Sequence, residues 1–127
     1  MKGYLDDIEE ITKENTTFRK VLFTGKFSQL VVMRLKPGED IGKEVHPDID
    51  QFFRVEEGEA KVVIDGEEAM AKEDYAIIVP AGSEHNLINT SKDKELKLYT
   101  IYSPPNHPED TVHKTREEAM EAEEHEQ

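Results

Sequence analysis

Two short segments hold the residues that could do chemistry: Gly38-x5-Glu44-x-His46-x4-Gln51-x6-Gly58, and, fifteen residues later, Asp74-x5-Pro80-x-Gly82-x2-His85-x3-Asn89. Together they supply two imidazoles, a carboxylate and an amide. That is a nitrogen-and-oxygen donor set suited to one divalent ion such as Fe, Mn, Zn, Ni or Co. Side chains alternate faces along a strand, so Glu44 and His46 point the same way and Val45 the other. The next strand starts at Gln51, which shares a face with Phe53 and Val55. Pro80 and Gly82 bend the chain, after which His85, Leu87 and Asn89 share a face. If that face is an interior, His85 meets Glu44, His46 and Gln51 around one point. The same alternation makes Glu44, Asn89 and Thr100 the inward groups able to act as acid, base or hydroxyl beyond the ligands, and Phe53 a candidate pocket wall.

The elements that must position these residues are short strands. One helix with an apolar edge at Leu5, Ile8 and Ile11 is expected inside LDDIEEITKEN. From Arg19 onward the texture is period-two alternation broken by turn residues: RKVLFTG, SQLVVMRL, EVH, QFFRVEEG, EAKVVIDG, EEAMAKE, YAIIVP, EHNLINT and ELKLYTIYS. Asp65-Gly66 is a two-residue hairpin signal, since both central positions of a type I′ turn need positive φ. Between residues 20 and 102 no amphipathic stretch of helical period interrupts the strands. An all-β antiparallel sandwich or barrel of about residues 19–102 is expected, in a single domain spanning 1–127. A proline-rich tail follows Tyr102, and Thr115-x-x-Glu118 offers a capping box for an acidic terminal helix. His107 and His113 fall in that tail, where a solvated or latching role is the expectation. Phe27, Phe52, Tyr75, Tyr99 and Tyr102 are expected as core or interface aromatics.

Composition narrows the function. The chain of 127 residues has 16 Lys and Arg against 29 Asp and Glu, a formal net charge of −13, which disfavours phosphate backbones and anionic lipid as partners. It has no cysteine, so thiolate ligands, thiol nucleophiles and disulfides are excluded. No phosphate-binding glycine loop, dinucleotide fingerprint, H-E-x-x-H or G-x-S-x-G motif is present. The apolar runs are shorter than the roughly 18 residues of a spanning helix, and the start MKGYLDDIEE lacks a secretory pattern. A cytoplasmic protein that takes a small-molecule ligand, with no nucleic-acid or membrane partner, is the expectation.

The two segments resemble the paired motifs of the cupin superfamily, G-x5-H-x-H-x3-4-E-x6-G and G-x5-P-x-G-x2-H-x3-N. Gly38, His46, Gly58, Pro80, Gly82, His85 and Asn89 match. Glu44 stands in place of the first motif histidine, Gln51 in place of its glutamate, and Asp74 in place of the opening glycine of the second motif. The resemblance implies an antiparallel double-stranded β-helix, or jelly-roll, barrel with short terminal helices, one bound divalent metal and a homodimer. It implies His46, Gln51, His85 and Glu44 as the ligand set, with Glu44 as a base where it is not ligated. Three imidazoles and one carboxylate carry ligand charge −1, and two imidazoles, Glu44 and Gln51 also carry −1. Dioxygenase-type oxidation or sugar isomerisation is the activity implied. A non-catalytic binding module and a metal-free structural barrel are the alternatives. A second copy would also cover SQLVVMRL if that strand were an exposed edge.

Overall fold

In the computed structural model, which describes residues 1–125, the chain forms two short helices and nine strands. In chain order they are α1 (Ile8–Glu14), β1 (Arg19–Thr24), β2 (Gln29–Leu35), β3 (Asp50–Glu57), β4 (Ala60–Ile64) and β5 (Glu67–Ala71). Then come β6 (Ala76–Val79), β7 (His85–Ile88), β8 (Leu96–Ser103), β9 (Val112–His113) and α2 (Arg116–His125). All ladders are antiparallel, in a larger sheet of order β6-β3-β8-β2-β1-β9 and a smaller one of order β5-β4-β7. The sheets pack as a jelly roll. The expected all-β fold with helical ends is therefore the observed one. No helix among the described residues is long and apolar enough to cross a membrane.

Register stacks the inward side chains of the larger sheet in rows. Gln29, Tyr102, Gln51 and Val79 lie side by side across β2, β8, β3 and β6, followed by Val31, Thr100, Phe53 and Ile77, then by Met33, Leu98 and Val55. All are buried. The first row is polar at three of its four positions and the third is wholly apolar. Leu87, Val62, Ala60 and Ala71 complete the core from the smaller sheet.

The segment expected as strand EVH is not a regular strand. Residues 38–44 instead run antiparallel along β7 through Gly38 N–H to Asn89 O, Ile41 N–H to Leu87 O, and bridges Asp40↔Ile88 and Glu44↔His85. Between the bridges the segment takes four steps along the chain (40 to 44) against three on β7 (88 to 85), so it bulges, with Gly42 at φ 91°. The bulge breaks the ladder that continuous alternation would have made.

Other expectations shift for local reasons. The first helix is capped by Asp7, whose carboxylate accepts from Glu10 N–H, so Leu5 falls outside it and is exposed while Thr12 is the fully buried residue. Lys97 Nζ donates to Lys13 O and Asn15 O at 2.7 and 2.8 Å, placing a cation on the helix C-terminus and pinning α1 to β8. SQLVVMRL is no edge: β2 lies between β8 and β1. The tail contains β9, whose two residues pair with Arg19 and Lys20. Asp65 and Gly66 adopt φ 48° and 83°, as the hairpin signal required, and Asp74 takes φ 69° where the motif has glycine. Thr115 accepts from Glu118 N–H, and Glu118 reaches back to Lys114 N–H, completing the cap of α2.

Gly58 has φ 89°, and a Cβ there would sit 2.7 Å from the Glu95 carbonyl oxygen. Backbone cannot yield as a flexible side chain can, so Gly58→Ala is expected to cost about 3 kcal/mol of stability. Urea unfolding of the variant against wild type checks this; a loss below about 1 kcal/mol contradicts it.

Candidate metal centre

The centre begins with one backbone pair. Glu44 N–H donates to His85 O at 3.0 Å and His85 N–H returns to Glu44 O at 2.9 Å. Residues bonded in this reciprocal way are direct antiparallel partners, so their side chains leave from the same face. His46, two residues on, joins them, and its carbonyl accepts from Gly82 N–H at 2.9 Å, tying the turn that precedes β7. Asp50 Oδ1 accepts from Ala81 N–H in the same turn and steadies the loop. The result is a cluster in which one donor atom each from Glu44, His46 and His85 lies within 4.8 Å of the others. Glu44 Oε2 is 2.8 Å from His46 Nε2, and the two imidazole rings are 5.6 Å apart. His85 is buried, while the side chains of His46 and Glu44 are 15% and 17% exposed, so the cluster meets solvent through those two residues.

Gln51 closes the inner side. Its Nε2 donates to Thr100 Oγ1 at 3.0 Å, which turns Oε1 toward His85 Nε2 at 3.1 Å. His85 Nδ1 in turn faces Ser83 O at 3.2 Å. Both nitrogens of one imidazole thus face oxygen, yet a neutral ring carries a single proton. With that proton on Nδ1 for Ser83, the Nε2 lone pair meets the Gln51 oxygen. A cation placed against Nε2, Oε1 and the Glu44 carboxylate removes the conflict, so the donor set fits a divalent ion.

Of the residues picked from sequence, Glu44, His46, Gln51 and His85 come together, and Thr100 and Phe53 adjoin them. The Phe53 ring is 6.2 Å from His85 and fully buried. Asn89 does not join. It lies four residues along from His85, roughly 13 Å by strand rise, and its amide donates to Leu35 O and Lys94 O while accepting from Ser91 N–H. Those bonds hold the turn after β7 and leave nothing for a ligand at the cluster.

Two more residues lie beside the centre: Tyr102, expected as a core or interface aromatic and found in the core, and His107, expected as a solvated or latching residue of the tail. Tyr102 is buried edge-on to His46 at 5.9 Å, and His107 is edge-on to Tyr102 at 5.1 Å with its Nε2 3.2 Å from the phenol oxygen. Tyr102 has the parity of Thr100 on β8, and that signal could have found it. His107 follows two prolines and has no periodicity to place it. Burial raises the Tyr102 phenol above its ordinary range, although Arg19 and a hydrogen bond to Gln51 oppose this. Burial, then the charge of Arg19, lowers His107 from 6.5 to about 3. With His107 neutral and the Tyr102 phenol protonated, a single hydrogen bond spans the 3.2 Å between Nε2 and the phenol oxygen.

A family profile described as a cupin domain matches residues 31–102, more than half of the chain. The chain belongs to the cupin family. Relatives extend the likeness past the matched domain. YrkC of Bacillus subtilis (strain 168) is 47% identical over 96% of this chain and 68% of its own length. The crystal structure of BH2720 from Bacillus halodurans is 44% identical, covers 94% of this chain and 95% of its own, and superposes with a TM-score of 0.91. Polyketide synthase CurC of Streptomyces cyaneus is 33% identical over 64% of this chain, which spans 51% of that protein. The comparisons thus give the family and the fold, and the Glu44–His46–His85 cluster is a feature of this chain's own structure.

His107 yields a pH dependence of definite sign. The unfolded chain protonates this imidazole near 6.5, whereas the folded state keeps it neutral down to about 3. Its share of stability is present above pH 6.5 and drains as pH falls toward 3, by up to about 1.4 kcal/mol per pH unit. Urea unfolding across this range should show His107→Gln losing less stability on acidification than wild type. Parallel curves would contradict the assignment.

Proposed function

We propose that the chain is a mononuclear metal-binding cupin that binds or transforms a small polar organic molecule. The convergence of Glu44, His46 and His85 on one point, with the Gln51 carbonyl oxygen facing the same imidazole, carries this reading. These four residues would hold one divalent ion, Fe, Mn, Zn, Ni or Co. Bound there, such an ion supplies a Lewis acid or an oxygen-activating centre. Two neutral imidazoles, an amide and one carboxylate leave a divalent site with net charge +1, which favours oxygen-rich ligands.

The chain's own residues would divide the remaining work. Glu44, the most solvent-accessible member of the cluster, would accept a proton from a bound molecule where its carboxylate is not ligated. Phe53 would wall the pocket, and Thr100 would hold Gln51 in orientation. CurC is named for polyketide synthesis, which supports a small organic molecule as ligand and extends the candidates beyond sugar isomerisation or dioxygenation. The net charge of −13 supports a partner other than nucleic acid. A homodimer belongs to the same reading. Its support is an outward row of apolar side chains, Phe23, Leu30, Ile101, Phe52 and the exposed Ile78, aligned across five strands. A cytoplasmic location accords with a chain free of cysteine.

One observation favours a second reading, a metal-free binding module. Glu44 and His46 already satisfy each other at 2.8 Å, as a hydrogen-bonded cluster without an ion would. Elemental analysis and titration calorimetry with Mn, Fe and Zn separate the two. The metal reading expects one ion per chain and a loss of affinity of at least about a hundredfold in His46→Ala and in His85→Ala. Sub-stoichiometric metal in wild type, or affinity unchanged in both variants, would leave the metal-free module. Glu44→Gln with metal retained but turnover lost would mark Glu44 as base, not ligand.

A further inference from the structure

The tail after Tyr102 is tied firmly to the barrel, and one of its side chains reaches the layer that holds the centre. β9 pairs with Arg19 and Lys20 of β1, Phe18 N–H donates to Lys114 O, Val21 N–H donates to Thr111 O, and Ala119 packs in the core. The buried Gln29 fixes His107. Its Oε1 accepts from Asn106 N–H and His107 N–H at 3.1 and 2.9 Å, and its Nε2 donates to His107 O at 2.7 Å. With both backbone groups of His107 held, its ring nitrogen Nε2 stands 3.2 Å from the Tyr102 oxygen. Tyr102 lies directly across the β3–β8 ladder from Gln51 and shares a hydrogen bond with the Gln51 side chain. His107, Tyr102 and Gln51 therefore make one chain of contacts that ends at His85 Nε2.

The Gln51 amide could sit between Thr100 and His85 in two ways. With Oε1 toward His85 Nε2, as observed, two lone pairs meet and a cation can bridge them. Turned over, the amide would donate from Nε2 to that imidazole, which would satisfy His85 and close the donor set, because an amide N–H group offers a metal no lone pair. Thr100 cannot decide between the two, since a hydroxyl donates as readily as it accepts. The Tyr102 hydroxyl has the same freedom unless its proton is committed elsewhere, and His107 commits it. Asn106 Nδ2, a donor, lies 3.5 Å from His107 Nε2 on the ring nitrogen that also faces the phenol. A donor there calls for a lone pair, so the single proton of the neutral imidazole sits on Nδ1. The Tyr102 O–H then points to His107 Nε2, and the phenol oxygen is left to accept. Of the two polar atoms of the Gln51 amide, only Nε2 can donate to it.

We propose that His107 and Tyr102 are positioning residues of the centre: His107 Nε2 takes the Tyr102 hydroxyl proton, the phenol oxygen accepts from Gln51 Nε2, and the Gln51 oxygen is thereby kept facing the centre as a metal donor. The inference rests on reading Glu44, His46, Gln51 and His85 as a metal centre, so its test has one arm without metal. Nitrogen–proton NMR of the metal-free protein should find the His107 proton on Nδ1; a proton on Nε2 overturns the proposal. The second arm is titration calorimetry with Mn and Zn. His107→Leu, which removes the acceptor, is expected to weaken metal binding about tenfold. The same change made on a Gln51→Glu background should cost less than about twofold, because a carboxylate presents an oxygen whichever way it turns. A tail that merely steadied the barrel would cost the same in both backgrounds, and equal losses overturn the proposal. Tyr102→Phe, which deletes a single oxygen, should repeat the pattern and stands in where His107→Leu does not fold. A proton on His107 Nδ1 in a protein that takes up no metal supports the positioning of the amide and sinks only the metal reading; metal uptake with equal losses in the two backgrounds does the reverse.

Discussion

The reciprocal backbone pair between Glu44 and His85 is the constraint on which the site depends. A strand's side chains have a period of two, so a slip of one residue at this pair would turn Glu44 and His46 outward and bring Val45 in. The register is secured from both directions. Gly42 absorbs an extra residue upstream at φ 91°, so the pairing that starts at Gly38 and Asn89 still arrives in phase at Glu44. Downstream, the His46 carbonyl accepts from Gly82, which sets the entry of β7 and hence the position of His85. The glycines of both motifs thus act on backbone path, while the chemistry-bearing residues ride on the pairing they allow.

The interior is stratified, and the stratification explains why the polar cluster does not undermine the core. A buried amide or hydroxyl costs stability unless it is bonded. Gln51 and Gln29 meet that demand by spanning: the first bonds Thr100 and faces His85, the second serves Thr24 and both backbone groups of His107. Confining these groups to one end of the barrel leaves Met33, Leu98, Val55, Leu87 and Val62 to close an apolar core at the other. The tail completes the polar end with a neutral imidazole at His107, set against the protonated Tyr102 phenol of β8, so the layer gains a bond without gaining charge.

The range of each interaction decides how much of this could be read from residues alone. Strands, the Asp65-Gly66 hairpin and the convergence of four ligand-type residues are carried by alternation and local turn chemistry, and they stand in the sequence plainly. The bulge at Gly42 was not legible, because a glycine that ends a strand and one that bulges it look alike until the partner strand is known. Asn89 shares the inward parity of His85, but parity says nothing about distance along the strand, and its amide is committed to Leu35 and Lys94. His107 reaches the centre through Gln29, 78 residues away in the chain, and no periodicity encodes such a contact.

The departures from the family motif become intelligible once depth is considered. In the family pattern the carboxylate occupies the position of Gln51, which here is 2% exposed, and an imidazole occupies that of Glu44, whose side chain is 17% exposed. Moving the negative charge from the floor of the site to its rim lowers the desolvation cost of carrying it, since an ion near solvent keeps part of its hydration. The neutral amide left on the floor can bond Thr100 as a donor, which a carboxylate could not do. The summed charge of the four residues is unchanged, but its location is not. The one carboxylate of the four now stands beside His46 at the part-exposed rim, where an incoming molecule would meet it before the buried imidazole of His85.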